Sequence, residues 1–450
     1  MLYLIMNNKI ETFGLDIEEL DVLTNLEHIA YNQNIERIVA LPDVHQKKHL
    51  EAPTSIVVAT HGTIVPELTT PTLGCSIGTI VTDLNESDLS EQFLQNFFSH
   101  IKDHLTFSPP SKIRTLLIWL GLISPKIDEQ GSYDFSRREV EEVASTGASA
   151  VLGKYGFEKD ILNHIENPGR KLSSLRGLIP RSGYQFSRSN IGYGFHGNHF
   201  LEIQVVDEIV DEKVAKDFGL RKGQVLVSYH GGEGALAFFI GRYFSNHRIK
   251  FSLKEELMRL PAKLLFHLPF YKSLRYYFGN DRLVIPANSH DGRRYLDAVQ
   301  AGANYGIASR LAMIRRIIDA LDKSGSDIKE SEARKSGERL LWDASHTTIT
   351  QENIEGKNLV VHRNGAVKVV PGKPVLVCGS DKTRSCIAIG LPNTDKYLNS
   401  ADHGSGETIK KFTHLGRASE NGLDYVVKTL ERANIIKPVA YLRPVATFRD

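Results

Sequence analysis

Apolar residues recur in two rhythms along the chain, and the mixture predicts an α/β protein of the α+β kind. Strand-length runs, alternating or continuously apolar, cover residues 38–45, 55–60, 78–83, 199–206, 224–229, 359–363, 366–370 and 375–380. A rhythm of 3.6 residues marks helices over 17–30, 136–155 and 292–324. The last packs through Ala298, Ala301, Ala303, Ile307, Ala308, Leu311 and Ile314 and carries a polar Asn304. Asn364-Gly365, between two of the apolar runs, is the strongest short hairpin signal in the chain. No repeat, low-complexity tract or linker divides the pattern, so a single interwoven domain over 1–450 is expected.

Composition narrows the class. A chain of 450 residues, 41% of them hydrophobic, can bury a large core. Its 55 Lys and Arg against 53 Asp and Glu leave a net charge of +2, so any nucleic-acid contact must come from a local patch. The patch is 247–282, where Arg248, Lys250, Lys254, Arg259, Lys263, Lys272, Arg275 and Arg282 alternate with Phe251, Phe266, Phe270, Tyr271, Tyr276, Tyr277 and Phe278. Cations for phosphates and rings for bases suit single-stranded RNA; amphipathic helices with snorkelling lysines have the same pattern. No apolar run of about 18 residues appears, and the first nine residues lack a signal peptide's basic start and cleavage site. A cytoplasmic protein with no membrane partner is expected. Three cysteines argue for reduced thiols over a disulfide framework.

Candidate chemistry is scattered. His403 lies in Asp402-His403-Gly404-Ser405-Gly406-Glu407, where glycines let a phosphate approach the backbone. It is a nucleophile if a neighbour holds its ring in one tautomer, and otherwise an incidental histidine in a surface turn. Asp43 and His45 end a strand on one face, as a metal or proton-shuttle pair or as a strand-terminating hydrogen bond. Cys75 is an accessible ligand or a small core residue. Asn198, His199 and Glu202 sit where a Gly-rich loop enters a strand. His230 precedes glycines where a helix is expected to begin, and His346 follows an apolar start. The polar loop 381–385 suits a polar ligand. No Cys-x-x-Cys spacing occurs, so a metal site must be assembled from distant strands.

Taken in order, Pro42-Asp43-Val44-His45, Gly74-Cys75, the run from Gly197 to Ile203, His230-Gly231-Gly232, Ala303-Asn304-Tyr305, Ser345-His346, the run from His362 to Ala366, Gly379-Ser380 with Ser385, and His403-Gly404-Ser405-Gly406 resemble the RtcB family of RNA ligases over about residues 40–410. The resemblance implies stacked, mostly antiparallel sheets surrounded by helices. It implies an enzyme that joins RNA 3′-phosphate or 2′,3′-cyclic phosphate ends to 5′-hydroxyl ends with GTP and one or two Mn²⁺ ions, through a histidine–GMP intermediate. RNA with broken ends is the implied partner; no accessory factor is identified. Cys75, His199, His230 and His346 match the metal ligands, with Cys75 bridging, and His403 matches the histidine that takes GMP. Asn198, Phe200, Glu202, Ser380, Asp381, Ser385, Gly404, Gly406 and Arg449 match the nucleotide site, where Glu202, Ser380 and Ser385 read guanine. Asp43 and His45 match the pair implicated in opening the cyclic phosphate.

The chain also departs from the family pattern. Thr72 stands for an aspartate, Gly234 and Glu407 for arginines, Thr347 for an asparagine, Gln46-Lys47-Lys48-His49 for a glycine-rich tail and Arg449-Asp450 for Lys-Gly. Lys382, Arg384, Lys410 and Lys411 are the expected replacements for the lost cations. Two other readings follow from these losses: a metal-dependent phosphodiesterase or nucleotidyl transferase without end joining, and a catalytically silent RNA-binding protein.

Overall fold

The computed structural model describes residues 8–13, 20–47, 52–69, 73–105, 113, 117, 122, 135–173, 184, 187–188, 191–192, 199–231, 236, 284–324 and 340–448. Thr72, Asn198, Gly234, Arg449 and the basic segment 247–282 lie outside them.

Two sheets stack face to face. One has the strand order β1 (Ile10–Thr12), β2 (Ile35–His45), β3 (Thr54–Thr60), β11 (Lys357–Asn364) and β10 (Thr347–Ile354), antiparallel except for β1 with β2. The other, antiparallel throughout, runs β13 (Pro374–Val377), β14 (Ser385–Gly390), β16 (Ile436–Phe448), β6 (Phe200–Ile209), β7 (Gln224–Gly231), β5 (Ser76–Asn85) and β9 (Leu340–Ser345). Two small ladders complete the set, β12 (Ala366–Lys368) with β15 (Ser400–Asp402) and β4 (Thr63–Ile64) with β8 (Ile285–Pro286).

The strand period of two sorts the side chains into layers. Val39, Leu41, Val57 and Ala59 face the second sheet, while Ile38, Ala40, Ile56 and Val58 pack under Val22, Leu26 and Ile29 of helix α1 (Leu20–Ala30). On the far side, Leu201, Ile203, Val205, Val225 and Val227 join the core formed with α2 (Glu91–Leu105), α3 (Arg137–Thr146) and α4 (His290–Ser324). Helices α5 (Gly406–His414) and α6 (Ser419–Arg432) pack on each other, Gly422 lying against the Ile409 backbone. The α+β class and stacked sheets are as expected. No helix among the described residues is long and apolar enough to cross a membrane.

Three local expectations differ. Asn364-Gly365 closes no hairpin: β11 pairs with β3 and β10, whereas β12 pairs with β15 in a separate ladder. The helix expected over 136–155 stops at Thr146, because Gly147 takes φ 77° and the chain continues as a 3₁₀ turn and a short helix. His230 and Gly231 are still strand.

Arg363 links the strands to the site. It donates to Glu352 Oε1 (2.5 Å) and Oε2 (3.2 Å), to Ser400 Oγ (2.9 Å) and to the Leu398 carbonyl (3.1 Å), so it holds β11 to β10 and to the segment leading to His403. Burial alone would raise the Glu352 pKa, but the Arg363 charge outweighs it and holds the carboxyl at about 2, against an ordinary 4.5. A depressed carboxyl stabilises the fold above its unfolded pKa and loses that contribution as pH falls through the folded one. Glu352→Gln is therefore expected to lower the unfolding free energy by roughly 3 kcal/mol near neutral pH. In urea titrations at several pH values, the gap from wild type should narrow as pH falls from 4.5 towards about 2.

Candidate active site and metal centre

Strand register assembles the site. Ile77 lies opposite His230, Thr79 opposite Ser228, Phe200 opposite His230 and Glu202 opposite Ser228. Residues directly opposite in an antiparallel pair share a face. Cys75, two residues before Ile77, is therefore aligned with His230, while Glu202 and Gln204 follow along β6. This is the face towards the other sheet, and here the apolar interior gives way to polar groups. His346 enters from the β9–β10 turn, its N–H donating to the Cys75 carbonyl (2.9 Å) and its carbonyl accepting from Ala366 (3.0 Å).

The donor atoms converge. Cys75 Sγ lies 3.2 Å from His199 Nε2 and 3.6 Å from His230 Nε2, and His230 Nε2 lies 2.9 Å from His346 Nε2. The His346 and His403 rings stack at 4.3 Å with planes 21° apart. Donor atoms lie within 4.8 Å of one another in two groups, Cys75 with His199 and His230, and His230 with His346 and His403, so His230 is common to both. At most one proton fits between two Nε2 atoms 2.9 Å apart. Burial, then repulsion from His403, His230 and His199, pushes the His346 pKa well below the ordinary imidazole value. A crowd of imidazoles that resists protonation, with a thiol beside it, fits a divalent transition ion.

His403 is held in one tautomer. Its Nδ1 lies 2.8 Å from the Gly365 carbonyl, which can only accept, so Nδ1 carries the proton and Nε2 the lone pair. Burial pushes its pKa down to about 4, leaving the ring neutral at physiological pH. The turn at Gly365 makes this contact: φ is 71°, and a Cβ there would meet Thr54 Cγ2 at 2.5 Å and the Ser55 nitrogen at 2.9 Å. Gly365→Ala is expected to displace the carbonyl and lower the rate of any nucleotide transfer to His403 by about tenfold or more, since misplacing a reacting group by about 1 Å can lose 10²-fold. Rapid-quench kinetics of that step check it.

The backbone around His403 is woven into its neighbours. Cys378 N–H donates to the His403 carbonyl (3.1 Å), and the Ser405 N–H and hydroxyl both donate to the Cys378 carbonyl (2.9 Å each). One turn into α5, Thr408 donates its N–H (2.7 Å) and hydroxyl (2.6 Å) to Asp43 Oδ1. The Asp43 N–H in turn donates to Asp402 Oδ2 (3.3 Å). Burial raises both carboxyls, Asp43 to about 7 and Asp402 well above its ordinary value, the latter helped by the Asp43 charge. The two side chains of the Asp43/His45 pair do not meet: His45 Nδ1 donates to the backbone carbonyl of Asp43 (2.7 Å). The β2–β3 register breaks between Ala40 and His45, so strict alternation fails there.

Glu202 and Ser385 are brought together by Gln204. Gln204 Nε2 donates to Glu202 Oε2 (2.6 Å) and Ser385 Oγ (3.0 Å), and Thr447 donates to Glu202 Oε1 (2.8 Å). Ser380 bonds within its own loop to Thr383 (3.0 Å), and Asp381 is exposed at the tip. Phe200 packs its ring against His230 at 5.7 Å. Sequence reasoning did not single out Gln204, although its spacing of two from Glu202 was the signal; Thr447 carried none.

Two of the expected cations are paired with acidic side chains. Arg384 turns to Glu208 (3.1 Å), Asp207 (3.6 Å) and the Tyr441 ring (4.7 Å), and Lys410 pairs with Glu407 (2.5 Å). Lys47 enters instead. Burial lowers its pKa, the Glu407 and Cys75 charges oppose that shift, and its own charge helps keep His346 and His403 unprotonated. The Gln46-Lys47 replacement thus brings a positive charge to the cluster of Cys75, His346 and His403.

A family model described as tRNA-splicing ligase RtcB matches residues 25–423. A tRNA-splicing ligase RtcB of Methanococcus maripaludis is 27% identical over 369 residues, 76% of this chain and 67% of that protein. One from Archaeoglobus fulgidus is 29% identical over 370 residues, 71% of this chain and 72% of that protein. With the Pyrococcus abyssi protein, 26% identity extends over 420 residues, 82% of this chain but 41% of that longer protein. The family match takes in strands of both sheets and every residue of the His/Cys cluster, and the chain belongs to the RtcB family.

Proposed function

We propose that the chain is an RNA ligase that joins 3′-phosphate or 2′,3′-cyclic phosphate ends to 5′-hydroxyl ends, using GTP, Mn²⁺ and a His403–GMP intermediate. The observation that carries this reading is the His403 ring, fixed by Gly365 with Nε2 unprotonated and stacked on His346 beside the ligand cluster. The relatives' description as tRNA-splicing ligases agrees with it.

Cys75, His199, His230 and His346 would hold one or two Mn²⁺ ions, which when bound polarise the α-phosphate and neutralise the departing pyrophosphate. His403 Nε2 forms the N–P bond to the α-phosphorus as the bond to the bridging oxygen of the β-phosphate breaks. Gly404 and Gly406 let the phosphates approach the backbone, with Asn198 and Arg449 as further contacts. Glu202 accepts from guanine N1–H and its exocyclic amine, replacing its bond from Gln204. Ser380, Asp381, Ser385 and Phe200 complete the nucleotide site. Lys47 contributes a positive charge where the family's arginines are absent. Asp43, with a pKa of about 7 and a second carboxyl beside it, exchanges a proton near neutral pH, which suits hydrolysis of a cyclic phosphate with His45 at the mouth.

The test is a sealing assay with two single-stranded RNAs, one ending in a 2′,3′-cyclic phosphate and the other starting with a 5′-hydroxyl. A joined product is expected only with GTP and Mn²⁺ together. Joining without GTP, or none under any metal and nucleotide combination, would overturn the reading.

A further inference from the structure

A cavity of about 370 Å³ lies between the end of β2 and helices α5 and α6, beside the proposed cyclic-phosphate chemistry. His45 lines one end, with Glu407 and Thr408 next to it. Phe13, Phe412 and Tyr425 also line it, as do the two cations Lys411 and Arg417. The rings are organised. Phe412 and Tyr425 lie 5.7 Å apart, the Arg417 guanidinium sits 5.1 Å over the Phe412 ring, and the Tyr425 hydroxyl donates to the Phe13 carbonyl (3.1 Å).

We propose that this cavity binds one unpaired nucleotide of the RNA strand that ends in the 3′-phosphate, its base against the rings and its phosphate on Lys411 and Arg417. The inference rests on the ligase reading for the choice of strand. Its size falls in the range of small-ligand sites, and rings paired with cations are what single-stranded RNA requires. The wall it shares with the reaction centre is short. Thr408 holds Asp43, Asp43 holds Asp402, and Asp402 adjoins His403. A nucleotide seated here would bring the next phosphate along the strand to His45, which lines the same cavity. This gives the enzyme a preference for ends with at least one unpaired nucleotide, independent of the basic segment 247–282.

The test uses the full chain and a fluorescent single-stranded RNA 8-mer with a 3′-phosphate, with Lys411→Ala/Arg417→Ala and Tyr425→Leu as variants. Each variant is expected to weaken RNA binding about tenfold or more, and the double variant to flatten the salt dependence, by about 0.7 in slope for each phosphate that is no longer neutralised. GTP-dependent labelling of His403 should stay at the wild-type rate in Tyr425→Leu. Unchanged binding by both folded variants would overturn the proposal, as would equal weakening of binding to an 8-mer blunted by a full complement. The two readings fail separately. If wild type never labels His403 yet the variants lose RNA, the ligase reading falls and the cavity stands; normal labelling with unchanged RNA binding reverses that outcome.

Discussion

His403→Ala is expected to lower the single-turnover rate of GTP-dependent RNA joining by about 10⁴-fold or more, roughly 5 kcal/mol of transition-state stabilisation. The magnitude follows from the proposed role. Loss of a nucleophile removes a bond-forming atom, and nothing in the cluster can take its place, because His230 and His346 turn their Nε2 atoms to each other at 2.9 Å. The fold should hardly change, since among the described residues the His403 ring makes one hydrogen bond, to Gly365; about 0.5–1.5 kcal/mol is at stake there. Urea unfolding beside the kinetics separates the two effects. Joining at more than about a hundredth of the wild-type rate would place the nucleophile elsewhere.

The largest stability loss is expected at Arg310. Its side chain is buried in α4, donating to Asp343 Oδ2 (2.9 Å) and Oδ1 (2.9 Å and 3.1 Å) and to the Gly74 carbonyl (2.6 Å), one residue before Cys75. Asp343 also accepts from Ser76 (3.0 Å) and Tyr229 (2.7 Å). Removing one partner of a buried pair strands the other charge, which typically costs about 3–5 kcal/mol. Arg310→Leu should therefore destabilise the protein by about that much and loosen the Gly74–Ser76 segment, so that metal content falls as well. Arg310→Leu/Asp343→Asn removes both charges and should be less destabilised than the sum of the single variants. Strict additivity, or a metal content unchanged in Arg310→Leu, would show that the pair does not hold Cys75 in place.

What the chain disclosed in its sequence is what local chemistry determines. The strands over 35–45, 54–60, 200–209 and 224–231 follow from apolar runs that are buried on both faces along most of their length, and Glu202 and His230 lie on the inter-sheet face of two of them. Contacts between distant segments left no local trace. Asn364-Gly365 has hairpin chemistry, yet the same φ freedom serves a turn from one ladder into another, presenting the Gly365 carbonyl to His403. Lys47 counted in sequence only as a lost glycine tail, because its proximity to Cys75 and His403 is created by stacking of the sheets. Arg384 had the right charge and the right neighbours in sequence but is drawn to Glu208 and Tyr441 across the β14–β16 edge.

On the proposed mechanism, His403 itself becomes covalently attached to GMP. The direct measurement is to incubate the protein with GTP labelled at the α-phosphate and with Mn²⁺, digest it, and locate the label by peptide mass spectrometry. A single labelled site at His403 is expected, stable to base and lost in acid as a phosphoramidate should be, with none in the absence of Mn²⁺. Label on any other residue, or an unlabelled protein that still joins RNA, would show that joining does not pass through His403–GMP.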